Sequence, residues 1–442
     1  MRSKALCTTE QRPGTSKCRL VIANQEWREV IRVAARSTES LMIGPTGFSA
    51  GVNADSVFVR SLQQVAPGDL QEWMLRWRDL ICVQPQSEVE MNRLVRIVEQ
   101  SGATRRHRLT LLAVGNGKSA GRIAGLRWSV DGQRRLDEIA IVAPGMPSWN
   151  LSGTEEHTVN AEPDTVVPDR WSRTAGALGA DTWKLLRKQT VAIIGCGRSG
   201  STAALMASLL GVRKLILVDQ DQVETSNLDA MPGLRESDVG RSKAETVGEM
   251  VGRSRSDLAV TALRVSAANP LVWQHLKEAD LIITTVDRDE PRWIAARVAS
   301  LYLKPHLDIG TGILERAGER MMGADIRLLL PGEGCICCVG GLRQSEDAIY
   351  NLNRPAQHLE RGVFKDWHEQ RLGSLMTVNS TAIGVGLQLW LDLLDGRLSG
   401  TTWLQLKWSA SGHPQFHAEP VNPMVSCPIC EHRGLGDFIL GQ

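Results

Sequence analysis

The sequence contains no run approaching the roughly 20 apolar residues that cross a bilayer, so no membrane-spanning helix is expected. Met1 to Arg19 carries charges and no apolar stretch, which argues against a secretory leader and makes a cytoplasmic location the expectation. An excess of one charge sign is missing as well. Lys+Arg is 51 against 49 Asp+Glu, a formal net charge of +2. Neither a nucleic-acid footprint nor an acidic disordered tail is expected, and the Arg105, Arg106, His107, Arg108 cluster reads as solvated surface. There is no fixed-period repeat and no long low-complexity run. Nine cysteines in 442 residues do not make a disulfide framework. What is present is an apolar fraction of 42%, enough for packed cores, on a length that suits two or three domains.

One stretch, from Pro144 to about Pro168, is rich in Ser, Gly, Thr, Asn, Glu and Pro and lacks periodicity. The expected division is an α/β domain over 1–150, a linker over 151–168 and a second domain over 169–442. In the first domain, Ser87 with Glu90 has the form of a capping box, and Met91, Leu94, Val95 and Val98 follow at helical spacing. Leu109 to Val114, Ile123 to Trp128 and Ile139 to Val142 read as strands, with Asp131-Gly132 as a hairpin signal. In the second domain, strands at Val191–Ile194, Leu215–Val218, Leu281–Thr285 and Leu307–Ile309 alternate with helical stretches. That alternation predicts a Rossmann-like, doubly wound α/β fold with a parallel sheet.

Val191-Ala-Ile-Ile-Gly195-Cys-Gly197-Arg-Ser-Gly200 reads as a strand, then G-x-G-x-x-G, then a helix. Gly195 permits the tight turn, Gly197 lets backbone N–H groups approach phosphate oxygens, and Gly200 lets the helix pack on the strand. Asp219 stands 24 residues after Gly195, where a ribose-binding carboxylate is expected. By itself the pattern also fits a tight turn without a ligand, or a nicotinamide dehydrogenase.

The continuation narrows the choice. Asp219-Gln-Asp221-Gln-Val-Glu224-Thr-Ser226-Asn227-Leu228 leads into Gly240-Arg-Ser-Lys243-Ala244. This resembles the ThiF-type adenylyltransferases, the family of ubiquitin-activating enzymes and of the enzymes that activate sulfur-carrier proteins. The likeness is close here and looser over about Asp169 to Cys430. It implies ATP and Mg²⁺, with the nucleotide held by Gly195, Gly197, Gly200, Asp219, Asp221, Asn227, Lys243 and Asp287. Asp219 would hold the ribose, Asn227 would sit near the phosphates, Lys243 would contact them, and Asp287 would be linked to Mg²⁺. Capping of a helix that starts near Pro291 is the alternative role for Asp287. Asp169-Arg-Trp-Ser-Arg173 resembles the family's short Arg-x-x-Arg motif, whose second arginine reaches into a partner subunit's site. Arg173 would take that role in a homodimer, or else be an ordinary surface arginine. S-N-L-x-R is the family's usual continuation, and that arginine approaches the phosphates. Here the position is Ala230, with Arg235 or Arg241 as replacements.

Cys335, Cys338, Cys427 and Cys430 form two C-x-x-C pairs, the arrangement that serves structural Zn²⁺. Cys337 is left over. The resemblance implies transfer of the activated carboxylate to a cysteine, yet Val339 to Ser374 contains none. Cys337, a zinc-site thiol or Cys196 would serve, or the adenylate passes straight to another protein.

Ile81 to Gly145 loosely resembles a JAB-type isopeptidase domain. An active site of that type needs H-x-H and an aspartate on zinc. Val83-Gln-Pro85 stands where the histidines belong, and only His107 occurs in the first 150 residues, so the resemblance implies an inactive domain that binds a partner. Taken together, the resemblances imply adenylation of the C-terminal carboxylate of a ubiquitin-like or sulfur-carrier-like protein. A ubiquitin-conjugating-like partner and a bacterial ubiquitin-like conjugation setting, such as antiviral defence, go with that expectation. A peptide-adenylating maturation enzyme and an inactive scaffold half of an activating complex are the alternatives.

Overall fold

The computed structural model describes residues 17–36, 41–50, 54–66, 69–77, 79–86, 95–97, 108–115, 123–129, 132–143, 145–146, 148–150, 167–316, 319–342, 373–408 and 412–437. They build two sheets. The first contains β1 (Lys17–Ala23), β2 (Leu41–Ser49), β3 (Ala54–Val59), β4 (Gln63–Val65), β5 (Asp79–Gln86), β6 (Arg108–Gly115), β7 (Ile123–Ser129), β8 (Gly132–Arg135), β9 (Glu138–Val142) and β10 (Ser148–Asn150). Its order is β10-β9-β1-β3-β2-β5-β6-β7-β8, with β4 paired to β2. Helix α1 (Asn24–Arg36) buries Val30 and Val33 with Leu20 and Ile22 of β1, whereas α2 (Leu70–Arg76) buries Leu70 and Met74 with Leu41 and Ile43 of β2.

The expected strands at 109–114, 123–128 and 139–142 form, and β7 pairs antiparallel with β8, with Ser129 opposite Gly132. Of the helix expected from Ser87, residues 95–97 are described and helical, and the rest lies outside the described residues, as does His107. Ser148 to Asn150, read in the sequence as part of the linker-like stretch, adds an antiparallel strand to β9. The remainder of that stretch, from 151 to 166, lies outside the described residues.

The second unit begins with α3 (Ser172–Leu178) and α4 (Ala180–Leu186) and continues as β11 (Thr190–Ile194), α5 (Arg198–Leu210), β12 (Lys214–Val218), α6 (Lys243–Ser254) and β13 (Ala259–Leu263). There follow α7 (Pro270–Leu276), β14 (Leu281–Thr284), α8 (Asp289–Leu301), β15 (His306–Arg316), β16 (Glu319–Leu329), α9 (Met376–Leu394), β17 (Thr402–Trp408) and β18 (Pro414–Glu419). The order is β13-β12-β11-β14-β15-β16-β17-β18. Pairing is parallel from β13 to β15 and antiparallel from β15 to β18. The expected parallel sheet thus forms from β13 to β15, and β16 to β18 extend it in antiparallel fashion.

Every residue of β11 is buried, which is why it reads as a continuous apolar run. Val191 and Ile193 face a core with Ala203 and Ala207 of α5, Val247 of α6 and Leu387 of α9. Ala192 and Ile194 face the opposite core with Val272 of α7 and Ile294 of α8. The period-two alternation of a strand thus feeds both faces of a doubly wound sheet. That second core also takes in Val21, Ala23, Phe58 and Val142 of the first sheet, so the two units share apolar packing. The C-terminal segment completes the joint through a bridge of Phe48 with Gly436. A Cβ on Gly47 would lie 1.9 Å from the Gly434 carbonyl oxygen, so this close backbone approach requires glycine.

Candidate functional site

Parallel strands leave their carboxyl ends and the following helix N-termini on one edge, and a cavity of about 950 Å³ lies there. Gly195 directly follows β11 with φ +92, and an added Cβ would lie 2.7 Å from Val286 Cγ1. On Gly200 a Cβ would lie 1.7 Å from the Gly195 carbonyl oxygen, which fixes the helix against the strand end. At Gly197 an added Cβ would meet nothing within 4 Å, because that side of the loop faces the cavity. Gly197 is also the N-cap of α5 and brings no capping side chain, so the first-turn N–H groups and the positive end of the helix dipole serve this edge.

Asp219, at the end of β12, accepts from Cys196 N at 2.7 Å and from Asp221 N at 2.8 Å. Burial raises its carboxyl pKa, and those two N–H groups and Lys243 pull it back. Lys243 opens α6, where a cation opposes the helix dipole. Asp221 offsets this at 3.4 Å from Nζ. Asn227 closes a 3-10 turn and accepts from Glu224 N through Oδ1 at 3.0 Å. Asp287 follows β14. It stands directly before Arg288, the N-cap of α8. Gly195, Gly197, Asp219, Asp221, Asn227, Lys243 and Asp287 all line the one cavity.

Sequence reasoning missed the cavity floor, which Arg292 and Arg327 line with Thr284, His306 and Asp308 buried behind them. Asp308 of β15 is fully buried and binds Arg327 Nη1 at 3.0 Å, Arg292 Nε at 3.4 Å and the Thr284 hydroxyl at 2.6 Å. Burial raises its pKa, but Arg292, Arg327, His306 and the Thr284 hydroxyl together outweigh burial and the net shift is downward. The Thr284 hydroxyl proton goes to Asp308, so its oxygen accepts from His306 Nε2 at 2.9 Å. Burial lowers the His306 pKa to about 4, so the ring is neutral near neutral pH. A carboxylate inside the apolar run Leu307-Asp308-Ile309 was the available signal, since a buried charge requires partners. Arg198, inside the glycine motif, also lines the cavity. Neither Arg235 nor Arg241 does, and Arg241 pairs instead with Asp238 and Glu249.

Arg173 is exposed on α3 and is not part of the cavity lining. Cys196 is fully buried, and burial followed by Asp219 drives its thiol pKa well above the usual range. Cys335, Cys338, Cys427 and Cys430 converge with their sulfur atoms within 4.8 Å of one another. Sulfur separations of 3.8, 3.4 and 3.7 Å fit a tetrahedral site, whose edges are about 3.8 Å for Zn–S bonds of about 2.3 Å. Cys337 stands outside that set and is half-buried.

The family model that matches residues 171–360 is the ThiF family. This segment is a ThiF domain. Among curated proteins, the adenylyltransferase and sulfurtransferase MOCS3 of Dictyostelium discoideum is 30% identical over 128 residues, which is 29% of this chain and 30% of that protein. Ubiquitin-like modifier-activating enzyme 5 of Arabidopsis thaliana is 23% identical over 175 residues, 36% of this chain and 39% of its own length. The sulfur carrier protein ThiS adenylyltransferase of Bacillus subtilis is 29% identical over 119 residues, 26% of this chain and 35% of that protein. The chain thus spans about a third of the length of the curated relatives it matches. A solved structure of E. coli MccB with ATP aligns with 61% of this chain and 76% of its own, at 19% identity and a TM-score of 0.44. The glycine turn, Asp219, Asn227, Lys243 and Asp287 all fall inside the ThiF domain, whereas Cys427 and Cys430 lie beyond its matched range.

Proposed function

We propose that this chain uses ATP and Mg²⁺ to adenylate the C-terminal carboxylate of a ubiquitin-like or sulfur-carrier-like protein. One observation carries the reading: the Gly195 turn, Lys243 and Asp287 line the same cavity. The names of the ThiF relatives, which refer to ubiquitin-like modifiers and to a sulfur carrier, support the substrate class. Phosphates fit the open side of Gly197, where the first-turn N–H groups of α5 and the Lys243 ammonium offset their charge. Asp219 retains lone pairs for a ribose hydroxyl. Asp287 is the residue to hold Mg²⁺, which when bound neutralises the leaving pyrophosphate. One oxygen of the carrier's terminal carboxylate attacks the α-phosphorus, the bond to the bridging β-phosphate oxygen breaks, and pyrophosphate leaves. The protein's own work is alignment of two anions and neutralisation of their charge.

For a second step, Cys337 is the residue to attack the acyl carbon as a thiolate and release AMP, with a ubiquitin-conjugating-like protein as the next acceptor. Among the described cysteines, it alone is both outside the four-sulfur cluster and not fully buried. Zn²⁺ on the four cysteines is structural in this reading, and the free thiols of Cys82 and Cys196 fit a reducing, cytoplasmic setting. Arg173 is assigned to the partner's nucleotide site in a homodimer. Residues 1–150 are read as a docking module, joined through 151–168 to the adenylation domain 169–442.

ATP–pyrophosphate exchange with the purified full chain tests the reading. Exchange that depends on a carrier ending in glycine is the expected result. Exchange with a short peptide alone moves the substrate class to peptides. Absence of both exchange and nucleotide binding refutes the reading. A reducing-agent-sensitive carrier adduct that disappears in Cys337→Ala is the expected sign of the second step.

A further inference from the structure

Five cationic side chains line the cavity: Arg198, Lys243, Arg288, Arg292 and Arg327. Arg292 and Arg327 are matched to the buried Asp308, and Lys243 faces the exposed Asp221 at 3.4 Å. Arg198 is bound differently. Nη1 donates to the Ser374 carbonyl at 3.2 Å, and Nη2 donates to the Ser226 carbonyl at 2.5 Å. Among the described residues its ionic partner is Asp229 at 3.0 Å, and that carboxylate is 69% exposed. Two neutral carbonyls and a solvated acid fix the guanidinium in place while leaving its charge largely unmatched. Arg198 is also the first residue of the 13-residue helix α5, at the positive end of the dipole, where a cation is disfavoured unless an anion is to be met. Directly before it, the open side of Gly197 offers the space for that anion.

The far contact is equally fixed. The Ser374 hydroxyl accepts from Asn379 Nδ2 at 2.9 Å, and Asn379 of α9 accepts in turn from the Thr311 hydroxyl of β15 at 2.9 Å. Arg198 therefore spans three walls of the cavity: the glycine loop, the turn that carries Asn227, and the α9 entrance. We propose that Arg198 is a phosphate-contacting arginine of the nucleotide site, pre-positioned by the Ser226 and Ser374 carbonyls. Its planar fork suits a phosphate oxygen pair better than a lysine would. This deepens the adenylation reading and rests on it.

The test compares Mg·ATP with adenosine, which lacks the phosphates, by calorimetric titration of the full chain carrying Arg198→Ala or Arg198→Lys. The expected result for Arg198→Ala is a loss of about 10- to 100-fold in Mg·ATP affinity. Adenosine affinity and thermal midpoint stay unchanged, and Arg198→Lys recovers part of the loss. Equal losses for both ligands would reduce Arg198 to a structural brace and overturn the inference. Wild-type affinity for both ligands in Arg198→Ala would overturn it as well, while leaving the adenylation reading intact. If the wild-type protein binds neither ligand, that reading falls and the inference falls with it.

Discussion

The cavity edge of the ThiF domain and the joint beside the four clustered cysteines use the same residue types to opposite ends. At the cavity edge, Arg198 and Lys243 have exposed acids or backbone carbonyls as partners, and the glycine loop leaves a helix N-terminus uncapped. At the joint the charges are closed off. Arg433 donates to Glu26 at 2.6 Å and to the Arg60 carbonyl at 2.7 Å. Asp437 accepts from the Tyr302 hydroxyl at 2.6 Å, the Ser49 hydroxyl at 2.9 Å and Ala50 N at 3.1 Å, with Lys277 at 3.5 Å. Unmatched charge marks the end that has a ligand to meet, and matched charge marks the end that holds two sheets together.

If the comparison is right, the two ends should fail separately. The largest effect belongs to the cysteines, because Cys427 and Cys430 begin the segment that carries Arg433, Gly436 and Asp437 to the first sheet. Cys430→Ser should cost on the order of several kcal/mol of stability through weakened metal binding. Zinc content should fall and amide exchange should rise at Phe48 to Ala50, with Mg·ATP affinity retained. Loss of nucleotide affinity in step with the metal would break the comparison.

Next is Arg433→Ala, which leaves the buried Glu26 without its cation and should cost about 3–5 kcal/mol at neutral pH, measured by denaturant unfolding. Burial, opposed by Arg433, already raises the Glu26 pKa above 4.5. A folded-state pKa above the unfolded value means that the folded form holds more protons, so this group's contribution is lost as pH rises through the folded value. The deficit of Arg433→Ala should therefore shrink in acid. A deficit that grows in acid would show that Glu26 is not what Arg433 serves.

At the other end, Lys243→Ala and Asp287→Asn should each lower exchange by roughly 10²–10³-fold with thermal midpoints unchanged. A midpoint that drops with activity would assign these residues to the fold rather than to the ligand.

Legibility in the sequence followed the same division. The glycine loop, Asp219, Asn227, Lys243 and the C-x-x-C pairs were readable because each lies in a short contiguous pattern. The floor was not, because Thr284, Arg292, His306, Asp308 and Arg327 meet only when β14, β15, β16 and α8 assemble. Residues 17–86 yielded no elements either. Leu41 to Gly47 of β2 is buried throughout, so the strand shows no alternation, and it contains Gly44, Pro45 and Gly47, which read as turn residues. Gly44 is there because an added Cβ would lie 1.7 Å from the Ser61 carbonyl oxygen. The antiparallel half, β16 to β18, escaped for a related reason: β16 carries Asp325 and Arg327, which pair with each other along the strand and with Trp403, Gln405 and Asp308 across the sheet. Arg198 stood in plain view, yet its role depends on Ser226 and Ser374, which the fold brings to it.

The smallest effect is a pH dependence of the floor. His306 titrates near 4 when folded against 6.5 for the free side chain, so the unfolded form holds the extra proton between those values. Its contribution is complete above about pH 6.5 and is lost as pH falls toward 4, amounting to about 3 kcal/mol. His306→Gln should flatten that part of the stability profile. An unchanged profile would show that the ring does not titrate with folding.

A structure of the full chain with Mg·ATP is the most direct test. The expected result places the phosphates against the open side of Gly197 with Lys243 beside them and the metal at Asp287. A nucleotide bound elsewhere, or a cavity that excludes it at saturating concentration, would contradict the account.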